Sequence, residues 1–225
     1  MSGVRVGVLL ARERLRGPSA PAVLALCAVA VFATAVIERR SNASSAADDT
    51  LTGAVFGVTL PLLAYLLSER LCLGDRLEHS VDTVARYGTN RRAALLGLLL
   101  TSAACMAFAS VLLAWVGLIG ARPSALARDL LSGSEIALVS GAAYGLWFGA
   151  ASRFGKRGAG RKWALILDYL LGTGTSAIAA VCPRAHVRNL LGLEPVLGWS
   201  QASAWLALGV IGAASLVFGL RHGDE

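Results

Sequence analysis

The chain has 225 residues, of which 56% are hydrophobic and only 16% charged, and it carries a net charge of +7. With a mean hydropathy of +0.63, it has too little polar surface to cover a water-soluble globule of this size. The basic excess does not call for nucleic acid, because that partner needs lysine and arginine interleaved with exposed aromatic residues on a soluble face, and no such stretch occurs.

Residues 1–17 set Val6, Leu9, Leu10 and Leu15 among several arginines, a pattern that predicts a short amphipathic helix lying on the inner membrane surface. Gly17 and Pro18 end it. Six apolar stretches follow, at about 19–37, 51–67, 93–119, 130–151, 163–181 and 202–220. Roughly 20 residues rising 1.5 Å each cross a hydrocarbon core of ~30 Å, and these stretches are apolar nearly all round rather than striped. The expectation is an all-α integral membrane protein with six transmembrane helices in a single domain over 1–225. The first outer connection, 38–50, reads as a plain solvated link rich in Ser, Ala and Asp.

The second connection, 68–92, is long and patterned. Leu73, Leu77, Val81 and Val84 recur among its charges at helical spacing, which predicts an amphipathic cytoplasmic helix that Gly88-Thr89-Asn90 would end. Residues 182–200 contain Leu190, Leu191, Leu193, Val196, Leu197 and Trp199 and are too apolar for an exposed loop. One or two short helices dipping into the outer leaflet are expected there.

Orientation follows from lysine and arginine. Counting connections alternately puts fifteen of them on the side of 1–18, 68–92, 152–162 and Arg221, against Arg39, Arg40, Arg122, Arg128, Arg184 and Arg188 on the other. The richer side is cytoplasmic, so both ends of the chain are expected inside, and anionic lipid accounts for the net charge. Nineteen arginines to two lysines, with abundant alanine, point to a GC-rich bacterial genome and hence a bacterial cytoplasmic membrane.

Within the spans, Gly133, Ala137, Gly141, Gly145 and Gly149 fall four apart, forming a groove for close helix packing inside one subunit or along a dimer seam. Gly53 and Gly57 repeat the pattern in the second span. Asp168 is a costly charge inside the fifth. With Gly172, Thr175, Ser176 and Ala179 it would make a polar stripe along a substrate path; alternatively, it pairs with a cytoplasmic arginine. Cys27, Cys72, Cys105 and Cys182 have no paired spacing, so neither a disulfide framework nor a metal site is expected.

Two motifs fall short of a catalytic assignment. Gly149 to Gly155-Lys156-Arg157 resembles a phosphate-binding loop, but five residues separate the glycines instead of four and no Ser or Thr follows the lysine. No nucleotide site or cofactor is therefore assigned to this chain. Val139-Ser140-Gly141, with Gly145, resembles the serine motif of the six-span rhomboid proteases, yet Leu138 stands where that motif begins with glycine. The histidines, His79, His186 and His222, all lie outside the spans, so no Ser–His pair is available to activate Ser140.

Glu69-Arg70, Gly74-Asp75-Arg76-Leu77-Glu78 and Ala85-Arg86-Tyr87-Gly88-Thr89-Asn90-Arg91-Arg92, together with the whole layout, resemble the type-2 ABC exporter permeases. The layout covers the chain, whereas the loose motif covers some twenty-five residues, with Tyr87-Gly88 in place of a more frequent proline. The resemblance implies a permease that lacks its own motor. ATP and magnesium would reside on a separate ABC ATPase, and a second permease copy would complete a homodimer, or a related permease a heterodimer. Glu69, Arg76, Glu78, Asp82, Arg86, Tyr87 and Arg91 would form or flank the coupling helix that docks on the ATPase. The few fixed charges in the spans lean towards lipid-linked, amphipathic or peptide cargo. A non-transporting membrane anchor for a cytoplasmic partner fits the same layout.

Overall fold

A computed structural model describes residues 2–221. Among these the fold is all-α, with no strand. The helices are α1 (Gly3–Leu15), α2 (Ser19–Ser41), α3 (Ala46–Leu71), α4 (Asp82–Ala85), α5 (Arg91–Ala121), α6 (Leu126–Ala151), α7 (Gly160–Leu171), α8 (Pro183–Leu190) and α9 (Gln201–Leu220). Four of them, α2, α3, α5 and α9, with 23, 26, 31 and 20 residues, are long and apolar enough to cross a membrane. Such a set marks a multi-pass membrane protein.

The centre of the fold is the pairing of α5 with α6. Gly141 and Gly145 lie against the α5 backbone, where a methyl group would come within 2.5 Å of the Met106 carbonyl and 2.8 Å of the Ser102 carbonyl. Close approach lets serines bond across the seam: Ser110 Oγ donates to the Ala137 carbonyl, and Ser102 Oγ to that of Gly145 at 3.2 Å. These bonds, with dispersion between small residues, hold helices together where lipid gives no hydrophobic drive. Around the seam, Phe56, Leu60, Met106, Leu113, Phe148 and Leu208 complete the main buried cluster.

A second seam joins α1 to α5. Gly7 lies on the Ala94 carbonyl and Gly97 on the Val4 carbonyl, leaving no room for a side chain at either glycine. Leu10 and Leu15 pack against a buried cluster that includes Leu71, Leu77, Leu95 and Leu98. The N-terminal helix is thus anchored to protein along one face, while Val8 and Leu9 remain exposed.

Several boundaries depart from expectation. The helix expected over 163–181 stops at Leu171, because Gly172-Thr173-Gly174 is a run of weak helix formers and Gly172 is pressed against the Arg184 side chain. Twelve residues rise only about 18 Å. The chain continues through turns, a 3₁₀ turn at Ala179–Val181 and α8. The connection expected at 38–50 shrinks to 42–45, since α2 runs on to Ser41 and α3 begins at Ala46. Within α3, Thr50–Thr59 is π-helical. The amphipathic helix expected over 73–84 is replaced by turns, a 3₁₀ turn at His79–Val81 and the four-residue α4. Leu73 and Gly74, at φ +53° and +73°, break the pattern at its start, and Asn90 caps α5 by accepting from the Ala93 N–H at 3.1 Å.

Candidate functional site

The connection after α3 is folded back on the bundle and fastened by arginines. Arg161, buried in the first turn of α7, pairs with Glu69 and donates to the carbonyls of Asp75 at 3.0 Å and Arg157 at 3.1 Å. Arg153, at the end of α6, pairs with Glu78 at 2.7 Å and donates to the Phe218 carbonyl of α9. Arg76 donates to the Gly155 carbonyl at 2.9 Å. From the other flank, Arg14 of α1 donates to the carbonyls of Leu71 and Ser80, and Arg91 pairs with Asp82 at 2.9 Å. Buried guanidinium groups need this number of acceptors, since each unpaired donor would carry a desolvation cost.

Of the seven residues assigned to coupling, five therefore already have partners within the chain: Glu69 and Glu78 pair with Arg161 and Arg153, Arg76 bonds to Gly155, and Asp82 and Arg91 pair with each other. Arg86 and Tyr87 are exposed, and Tyr87 is the extreme case at 86%. Gly88, at φ +83°, turns the chain at this point, a conformation that favours glycine. The result is a fixed base with an exposed aromatic and cationic tip. Leu77 and Val81 are fully buried beneath it, whereas Leu73 is 67% exposed. Two of the four apolar positions thus serve as anchors for a turn. Arg14, Arg153 and Arg161, the arginines that do the fastening, carry no motif, because their partners in the connection lie 57 to 92 residues away. Outside the spans, the Asp75 carboxyl is held below its ordinary value, chiefly by the Arg76 N–H at 2.7 Å, and His79 bonds to it at 3.2 Å.

The second constellation is buried. Asp168 accepts from the Tyr144 hydroxyl at 2.8 Å and from the Arg184 backbone N–H at 3.3 Å. Its partners are thus a phenol of α6 and the start of α8 rather than a cytoplasmic arginine. Arg184 lays its guanidinium over Tyr169 at 5.1 Å from the ring centroid, and Tyr169 donates to the Val58 carbonyl in the π-helical stretch at 2.8 Å. One compact polar knot so joins α3, α6, α7 and α8. Thr175 and Ser176 lie beyond the end of α7 and are exposed, so the expected stripe from Asp168 to Ala179 does not form on one helix. Gly133, Gly141, Gly145 and Gly149 all have α5 side chains or backbone beside them. Gly53, by contrast, meets open space.

Ser140 is fully buried and its hydroxyl has no hydrogen-bond partner. His186 uses Nε2 on the Ala180 carbonyl at 2.7 Å and stacks on Trp199. No Ser140–histidine pair forms among the described residues; His222 lies outside them. Comparison with protein-family models, with curated proteins and with solved structures gives no match to this chain.

Proposed function

We propose that this chain is the membrane-spanning permease subunit of an ABC exporter, driven by a separate ATPase. The supporting observation is the architecture of 68–92: a tip of Arg86 and Tyr87 on a base tied to α6, α7 and α9 by Glu69–Arg161, Glu78–Arg153 and Arg153–Phe218. A docking element that transmits force needs a stiff base and an accessible tip.

In this reading α2, α3, α5 and α9 cross the bilayer, α6 crosses at the centre, and α7 with the segment up to α8 makes the sixth, broken passage. Half-helices are tolerated at such depth where protein shields their ends. The fastened, arginine-rich end faces the cytoplasm. ATP and magnesium bind the partner, and this chain supplies no catalytic group. Two copies of the permease flank the path, and nucleotide binding biases one of two arrangements. Asp168 acts by holding α6, α7 and the start of α8 together.

Because Glu78 and Asp82 already pair internally, the discriminating variants lie at the tip. The chain is co-expressed with an ABC ATPase, should an adjacent reading frame encode one, and co-purification and ATPase stimulation are measured; the lack of any such frame counts against the reading. Tyr87→Ala with Arg86→Glu is expected to reduce both at least tenfold while insertion stays unchanged. Undiminished co-purification and stimulation reject the coupling role; co-purification without any nucleotide-dependent export returns the anchor reading.

A further inference from the structure

Between α7 and α9 a slot of about 860 Å³ opens on the outside of the bundle, floored by α6. Trp147 and Ala150 form its floor, Trp163 and Leu167 one wall, and Val210 and Ala214 the other. At its basic end Phe154 stacks on Phe218, with ring centroids 5.1 Å apart. Arg221 also lines the slot there. Length identifies the occupant. From Val210 to Arg221 the α9 wall rises about 16 Å, close to the ~15 Å of a single hydrocarbon leaflet. The slot is thus as deep as one acyl chain, with a cation at headgroup level, where the cytoplasmic leaflet is rich in anionic lipid.

We propose that this slot binds one anionic glycerophospholipid, its acyl chain lying against α6 between α7 and α9 and its phosphate at Arg221. The aromatic side chains supply flat walls for a flexible chain, and the end guanidinium distinguishes an anionic headgroup from a zwitterionic one. This site depends on the membrane setting and not on the transport reading.

The full-length protein, purified in neutral detergent, is irradiated with phosphatidylglycerol bearing a diazirine in its acyl chain, and the adducts are mapped by mass spectrometry. Adducts are expected on α7 and α9, with unlabelled phosphatidylglycerol competing at least tenfold better than phosphatidylcholine of the same chains. Ala214→Trp should lower labelling at least tenfold; Val210→Trp, at an exposed position, is the second filling variant should the first aggregate. Arg221→Gln should erase the headgroup preference and leave adducts in place. Adducts spread equally over α2, equal competition by the two lipids, or labelling indifferent to both tryptophans would overturn the site. So would efficient cross-linking of Val210→Cys between two chains in membranes, since a second copy would then fill the slot. Loss of the lipid site with Tyr87-dependent ATPase binding intact would leave the transporter reading standing.

Discussion

At Asp168 the chain keeps an acid in a place where water is scarce, and two donors make that tolerable. Tyr144→Phe removes the hydroxyl that donates at 2.8 Å and leaves the carboxyl with the single Arg184 N–H. The expected loss is about 1–3 kcal/mol, the cost of an incompletely satisfied buried group, read from thermal or denaturant melts in detergent. Asp168→Asn should cost less, since the amide oxygen still accepts from Arg184 and its NH₂ can donate to the phenol oxygen. That Asp168 is special is legible in the sequence from its solitude in an apolar stretch; its partners are not, because Tyr144 lies 24 residues away on another helix. Cys72, just past α3, gives a pH test. Burial pushes its thiol from the ordinary 9.0 up to about 11. Above pH 9 the unfolded thiol ionises while the folded one stays protonated, so the unfolded state binds fewer protons and stability falls until the pH passes about 11. Melts of the native chain should therefore decline more steeply than those of Cys72→Ala over that interval, by no more than about 1.4 kcal/mol per pH unit; parallel declines would show that the thiol is solvated.

At the scale of elements, glycine spacing carries different meanings on α6 and α3. Gly145→Leu would drive a side chain into the α5 backbone around Ser102 and Ala103, and overpacking of this kind costs about 1–3 kcal/mol or more. Gly53→Leu, where nothing lies within 4 Å, should leave the melting temperature nearly unchanged. Equal effects would mean that the α5–α6 seam is loose. Sequence periodicity locates α2, α5 and α9 well because long apolar runs leave few alternatives. It fails over 73–84, where Leu77 and Val81 satisfy helical spacing while serving as anchors of a turn, and the signal against a helix was Gly74. It fails again after Leu171, where hydropathy continues across a backbone that breaks at Gly172-Thr173-Gly174. The α1–α5 seam was legible in principle: Gly3 and Gly7 fall four apart, the same spacing that marks α6.

For the whole molecule, segments that charge counting assigns to one side are bonded to one another. Arg14, Arg70, Arg76, Arg153 and Arg161 are widely separated in sequence, yet each bonds to a partner from another segment assigned to the same side. At the opposite end the turn at 42–45, Arg122 and the start of α9 border a common polar hollow lined by Ser44, Asp48, Asp129 and Gln201. An odd number of crossings between these sets would have scattered the fastening arginines over both ends, so the contacts constrain topology independently of hydropathy. What they leave to experiment is which end meets the cytoplasm. Single cysteines replacing Tyr87 and Lys156 at one end and Ser44 at the other, in a background lacking Cys27, Cys72, Cys105 and Cys182, answer this with a membrane-impermeant maleimide. Ser44→Cys should label in intact cells, whereas Tyr87→Cys and Lys156→Cys should label only after permeabilisation, at least tenfold above their level in intact cells. The reverse pattern would place the exposed tip outside the cell, out of reach of any ATPase. Labelling of Tyr87→Cys and Lys156→Cys from opposite sides would instead refute the bundle itself, because Arg76, in the same connection as Tyr87, is hydrogen-bonded to Gly155, the neighbour of Lys156.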